Sequence, residues 1–202
     1  SIPSPRLGSV AIADALKRIQ GTGEQIDEVL MGCVLSAGLG QAPARQASIG
    51  AGLPHQVGAV TVNKVCGSSL QTVIMAARAI ALGEAQVIVA GGMENMTRAP
   101  FLLEKARQGY RLGHGELTDS LIKDGLWDVY NQFHMGNAGE LCAARYRFSR
   151  QEVDDFALES YSRAREAITA GSFTREIVPV EVPQKKGAPR IVTDDEEPNR
   201  VD

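Results

Sequence analysis

The chain has 202 residues, with 21 Lys and Arg against 24 Asp and Glu, a formal net charge of −3 and 44% apolar residues. That is enough for one domain, or one domain with a sizeable insertion, around its own core. The balance is near neutral without a long single-sign block, which argues against a nucleic-acid surface and for a small-molecule partner. Cys33, Cys66 and Cys142 are too few and too scattered for a disulfide framework or a paired-cysteine zinc site. No structural metal is expected, and a reducing cytoplasm is. No apolar run reaches the length of a membrane span, and the opening SIPSPRLGSV lacks a signal-peptide layout, so no membrane role is expected. With no initiator Met, the chain is expected to be processed, trimmed or part of a longer protein.

Val10, Ala13, Leu16 and Ile19 recur at helical spacing, so Ser9 to Gln20 reads as an amphipathic helix stopped by Gly21. Val29 to Leu35, VLMGCVL, is continuously apolar and suits a strand covered on both faces, with Cys33 as core packing. Pro43 is placed to open a helix reaching about Gly52, and the preceding glycines read as a tight turn rather than a dinucleotide loop. A second strand over Val57 to Val65, a helix over Ser68 to Leu82 ended by Gly83, and a third strand over Ala85 to Gly92 form a β-α-β unit. The middle helix is apolar over most of its surface and is expected to be sandwiched rather than surface-lying. The alternation predicts an α/β layered domain with its chemistry at the carboxyl ends of the strands.

After Met96 the texture changes, dividing the chain into a core over 1–96 and a segment over 97–202, with a return to the core near 150–182. Thr97 to Gly125 has no lasting period, and so long a connection is usually functional or an oligomer contact. Ser149 with Glu152 forms a capping-box pattern ahead of a helix that Gly171 closes. Ile177 to Val182 suits a short strand, and Gln184 to Asp202 reads as irregular.

The best nucleophile candidate is Cys66, in VNKVCGSSL, where a strand turns into a helix. Helix starts leave backbone N–H groups without intrahelical partners and carry partial positive charge, which favours a thiolate over a thiol. That interaction is worth about 0.3 to 1 kcal/mol, too little to ionise a thiol by itself, so a base within hydrogen-bond reach is also required. The alternative is that Cys66 is a small buried hydrophobe. Among His55, His114 and His134, only His134 is a plausible functional partner, and it equally suits a structural role.

VNKVCGSSL, AGGMENMTRAP, GLWDVYNQFHMGNAGE, GLGQAPARQ, FTREIVPVEV and the terminal DDEEPNRVD together resemble the thiolases, in collinear order over essentially the whole chain. The resemblance implies a layered α/β fold with a mixed sheet, a buried nucleophile helix and an inserted loop domain. It implies condensation of two acetyl-CoA molecules to acetoacetyl-CoA, or the reverse thiolysis, through an acyl group on Cys66. Leu126, His134 and Met135 then fall on the pantetheine and acyl pocket and Arg200 near the nucleotide end of CoA, although Met135 also suits ordinary packing. CoA thioesters are substrates, no cofactor is implied, and the partner is a further copy in a dimer or tetramer. The segment matching Thr97 to Gly125 serves subunit assembly in such enzymes. The Gly-His-Pro histidine and Cys-Gly-Gly-Gly cysteine that serve thiolases as base and acid do not occur in these 202 residues, and neither does the family's first core strand. The chain is therefore expected to be the N-terminal part of such an enzyme, inert alone. Two other readings stay open, a Cys66–His134 thioester hydrolase and an acyl-CoA-binding module without chemistry.

Overall fold

The computed structural model describes residues 2–200, so Val201 and Asp202 of the terminal motif lie outside the described residues. The chain divides into two compact units, Ser1–Leu126 and Trp127–Asp202. In the first, helix α1 (Ser4–Arg18) leads to strand β1 (Glu28–Gly32), α2 (Pro43–Gly50), β2 (Gly58–Val62), α3 (Ser68–Ala81) and β3 (Ile88–Gly92). Helix α1 starts five residues before the expected Ser9, because Pro5 sits in the first turn, where its missing N–H costs nothing. It ends at Arg18 with Gln20, not Gly21, in the left-handed position at φ 52°. Helix α3 ends as predicted, with Gly83 left-handed at φ 75°, donating its N–H to Ile80 O at 3.1 Å, while Glu84 N donates to Ala79 O at 3.0 Å.

The three strands form one sheet in the order β2-β1-β3, parallel throughout. The α/β class thus holds, with a parallel core sheet where a mixed one is expected; the antiparallel pairs in the chain are separate two-stranded ribbons. The chain runs one way across the sheet from β1 to β2 and back the other way from β2 to β3. Right-handed crossovers then place α2 and α3 on opposite faces. Strand alternation agrees with this. Val29, Met31 and Cys33 join Ile12 of α1 and Ala44 and Ala47 of α2 in the core. A Cβ at Gly32, on the other face, would meet Ser68 and Ser69 of α3.

Helix α3 is only half covered. Ser68, Thr72 and Ala76 are buried at four-residue spacing. Leu70, Val73 and Ile80 are exposed, Leu70 at 65%. The expected buried helix is therefore a helix with one apolar face open.

Beyond β3, β4 (Phe101–Leu102) pairs antiparallel with β5 (Thr118–Asp119), and a π-helical turn, Leu121–Leu126, completes the first unit. The second unit contains the hairpin β6 (Trp127–Asp128) with β7 (Phe133–His134) and helices α4 (Met135–Tyr146) and α5 (Arg150–Thr169). The hairpin β8 (Val180–Val182) with β9 (Arg190–Val192) completes it. The Ser149–Glu152 capping box forms as expected: Ser149 Oγ accepts from Glu152 N at 3.2 Å, and Glu152 accepts from Ser149 N at 2.7 Å. Among the described residues, no helix is long and apolar enough to cross a membrane.

Candidate active site

Because Gly32, Val62 and Gly92 align across the parallel sheet, the chain leaves all three strands at one edge. Sites in α/β sheets gather at that edge. After β2 the chain makes a tight turn before α3. Val65 stands there at φ 47°, a left-handed conformation that β-branched residues rarely adopt. The turn is held by its own residues. Asn63 Oδ1 accepts from Val65 N at 3.0 Å; Ser68 Oγ accepts from Lys64 N at 2.9 Å and donates to Val65 O at 2.5 Å. Gly67 N and Ser68 N donate to Lys64 O and Val65 O, each at 3.1 Å. Cys66 is exposed on this turn, immediately before the Gly67 N-cap.

Two glycines let the helix start lie directly on the strand ends. A Cβ on Gly32 would fall 2.8 Å from Ser68 Cβ and Ser69 N, and one on Gly92 would fall 1.9 Å from Ser69 Oγ. Thr72 Oγ1 ties the same first turns to the sheet by donating to Gly91 O at 3.0 Å, within reach also of Ser69 O at 2.7 Å.

Cys66 opens onto a mainly apolar cavity of about 380 Å³. Cys33, Val34 and Leu35 wall it from the loop after β1, Val65, Ser68 and Ser69 from the turn and the start of α3, and Met93, Glu94 and Met96 from the segment after β3. Leu121, Gly125 and Leu126 of the π-helical turn close it. Cys66 and Leu126 thus line one cavity.

The cavity holds a second thiol that the sequence reading places only in the core. Cys33 is 2% exposed, and its Sγ donates to Glu94 Oε1 at 3.7 Å. Burial, then the Glu94 charge and hydrogen bond, push this thiol up to about 12. It is protonated at neutral pH and no nucleophile. Glu94 also binds the loop after β1, accepting from Val34 N at 2.7 Å and Leu35 N at 3.2 Å. Neither Glu94 nor Asn63 stands out in the sequence reading. An Asn two residues before a left-handed position is an Asx-turn signal for Asn63, whereas Glu94 acts about 60 residues away and leaves no local mark.

The remaining predicted residues lie in the second unit. His134 caps α4, its Nδ1 accepting from Gly136 N at 3.0 Å. A neutral His134 therefore carries its proton on Nε2 and presents a donor. Met135 follows it in the first turn, 41% exposed. Arg200 is exposed and paired with Glu196 at 2.7 Å and Glu197 at 4.0 Å. Among the described residues, no group of three or more His, Cys, Asp or Glu side chains is placed to hold a metal ion.

A parallel α/β sheet thus presents an exposed thiol at a helix start, above a mainly apolar cavity. The chain belongs to the thiolase family: the thiolase N-terminal domain matches residues 1–201. It is 53% identical to an acetyl-CoA acetyltransferase of Cupriavidus necator, over 96% of this chain and 50% of that protein. Identity is 51% to acetyl-CoA acetyltransferase 2 of Arabidopsis thaliana, over 98% and 49% of the two chains. With an acetyl-CoA acetyltransferase of Schizosaccharomyces pombe it is 48%, over 100% and 51%. The chain spans about half the length of the curated relatives it matches.

Proposed function

We propose that the chain is the N-terminal part of an acetyl-CoA acetyltransferase that forms or cleaves acetoacetyl-CoA through an acyl group carried on Cys66. The observation that carries this reading is the exposed Cys66 thiol at the start of α3, opening onto an apolar cavity. Cys66 gives its thiol proton to the activating histidine, its Sγ attacks the thioester carbonyl, the carbon–sulfur bond to CoA breaks, and CoA leaves as its thiol, taking that proton up. The α-carbon of a second acetyl-CoA, having lost a proton to the Cys-Gly-Gly-Gly cysteine, then attacks acyl-Cys66 and releases the Cys66 sulfur. The start of α3 directs backbone N–H groups toward the carbonyl oxygen as it becomes an oxyanion. The proton-transferring histidine and cysteine are those of the Gly-His-Pro and Cys-Gly-Gly-Gly motifs, which these 202 residues do not contain.

Leu126, with Leu121, forms the acyl wall, and His134 and Met135 contact the pantetheine and acyl portion, His134 as donor through Nε2. Arg200 lies near the CoA nucleotide. The substrate-facing insertion begins after Met96. CoA thioesters are substrates, and we assign no resident cofactor. The donor tautomer of His134 speaks against the Cys66–His134 hydrolase, which needs that ring as a base. The open apolar face of α3 supports covering by further protein, and we assign the enzyme to a cytoplasmic homo-oligomer, dimer or tetramer.

The test is acetoacetyl-CoA cleavage by the 202-residue chain alone and by the same chain continued through the two missing motifs. The account expects turnover only in the longer protein, abolished by Cys66→Ala. Sustained Cys66-dependent turnover by the short chain, free of any longer protein, would overturn the division of labour and favour the hydrolase.

A further inference from the structure

We infer that Asn63 and Ser68 are positioning residues for Cys66, holding Val65 left-handed so that the thiol stands at the start of α3 over the cavity. The inference rests on the reading of Cys66 as the acylated thiol. A β-branched residue at φ 47° persists only where its surroundings over-determine it. Two side chains do so here. Asn63 Oδ1 fixes the N–H of Val65 itself, and Ser68 Oγ bridges Lys64 N and Val65 O, so both peptide groups flanking Val65 are tied down. With either tie removed, Val65 can relax toward the β region. The next residue, Cys66, then rotates away from the helix axis. Ser68 also lines the cavity, so its loss could act through substrate; Asn63 is not among the lining residues and is the cleaner probe.

The test is a double-mutant cycle of Asn63→Ala and Val65→Gly, since glycine adopts φ near 50° without strain and should need no clamp. Iodoacetamide alkylation of Cys66 is followed by peptide mass spectrometry, with the exposed Cys142 in the same sample as internal reference. Asn63→Ala is expected to lower the Cys66 to Cys142 rate ratio by about two- to fivefold, the span of a charge–helix-dipole interaction. Asn63→Asp, which keeps the acceptor oxygen, should restore it, and in the Val65→Gly background Asn63→Ala should have no effect on the ratio. Should Asn63→Ala fail to fold, Ser68→Ala completes the same cycle. A ratio that falls less than twofold or rises, or that falls equally in both backgrounds, overturns the inference. These rates need no acyl transfer: failure of acetyl-CoA to acylate Cys66 in the protein continued through the two motifs, with the coupling intact, would sink the proposed function alone.

Discussion

Gly32→Ala tests how tightly the site is built. The added Cβ would sit 2.8 Å from Ser68 Cβ and Ser69 N and 2.9 Å from Ser68 C. Non-bonded carbon atoms are comfortable at roughly 3.5 to 4.0 Å, so the helix start must retreat by about 0.6 to 1.2 Å. Backbone atoms at the head of a packed helix cannot rotate aside. Overpacking of this kind costs about 1 to 3 kcal/mol. In the full enzyme, a 1 Å displacement of the nucleophile would lower acyl transfer by about 100-fold. Gly92→Ala makes an instructive contrast, because its 1.9 Å clash is with Ser69 Oγ, a side-chain atom that can turn away. Its cost should be smaller, and Ser69→Ala should relieve it while leaving Gly32→Ala unrelieved. Urea denaturation gives the stabilities and iodoacetamide labelling reports on the Cys66 environment. If Gly32→Ala cost under about 0.5 kcal/mol and left Cys66 reactivity unchanged, the close helix-on-strand packing would be wrong.

Buried hydroxyls give a second pair of expectations. Ser48 Oγ is buried without a hydrogen-bond partner, so Ser48→Ala should leave stability unchanged or raise it by about 1 kcal/mol; Thr72→Val, which removes the donor to Gly91 O, should lose about 0.5 to 1.5 kcal/mol, both read by urea midpoint. The backbone N–H of Val87, then that of Gln86, hold the Asp27 carboxyl below its ordinary 3.8. Its stabilisation is therefore present above that value and lost as pH falls through the lowered one, so Asp27→Asn should flatten the acid limb of Tm against pH; an unchanged limb counts against the contact. Arg200→Ala should raise KM for CoA thioesters less than about fivefold, since its ion pairs are exposed, and leave short pantetheine thioesters unaffected; equal impairment of both would displace Arg200 from the nucleotide.

The β-α-β core was legible because its periods are long and its punctuation is explicit. Gly83 and Gly171 stand at left-handed helix ends, and the Ser149 box opens α5 where expected. Helix α4 was not legible, since MGNAGELCAARY carries Gly136 and Gly139 in its first half and leaves no buried residue to mark a face. Ribbons of two or three residues are too short for alternation to register. Cys66 could be singled out from its strand–helix junction alone. Its supports could not: Gly32 and Gly92 matter through atoms of Ser68 and Ser69, brought near only by the sheet. Gly32 inside an apolar strand was nonetheless a visible sign of close approach. The pairing of Cys33 with Glu94 spans 61 residues, beyond any local pattern.

The central claim is that Cys66 carries the acyl group, and peptide mass spectrometry of the longer protein, rapidly acid-quenched with acetyl-CoA or acetoacetyl-CoA, tests it most directly. The account predicts a 42 Da acetyl increment, about the mass of one acetyl group replacing a thiol hydrogen, on the peptide containing Cys66. It should be lost in Cys66→Ala and absent from Cys33 and Cys142. Acetyl-CoA turnover with no acyl adduct on Cys66, or an adduct confined to another residue, would contradict it.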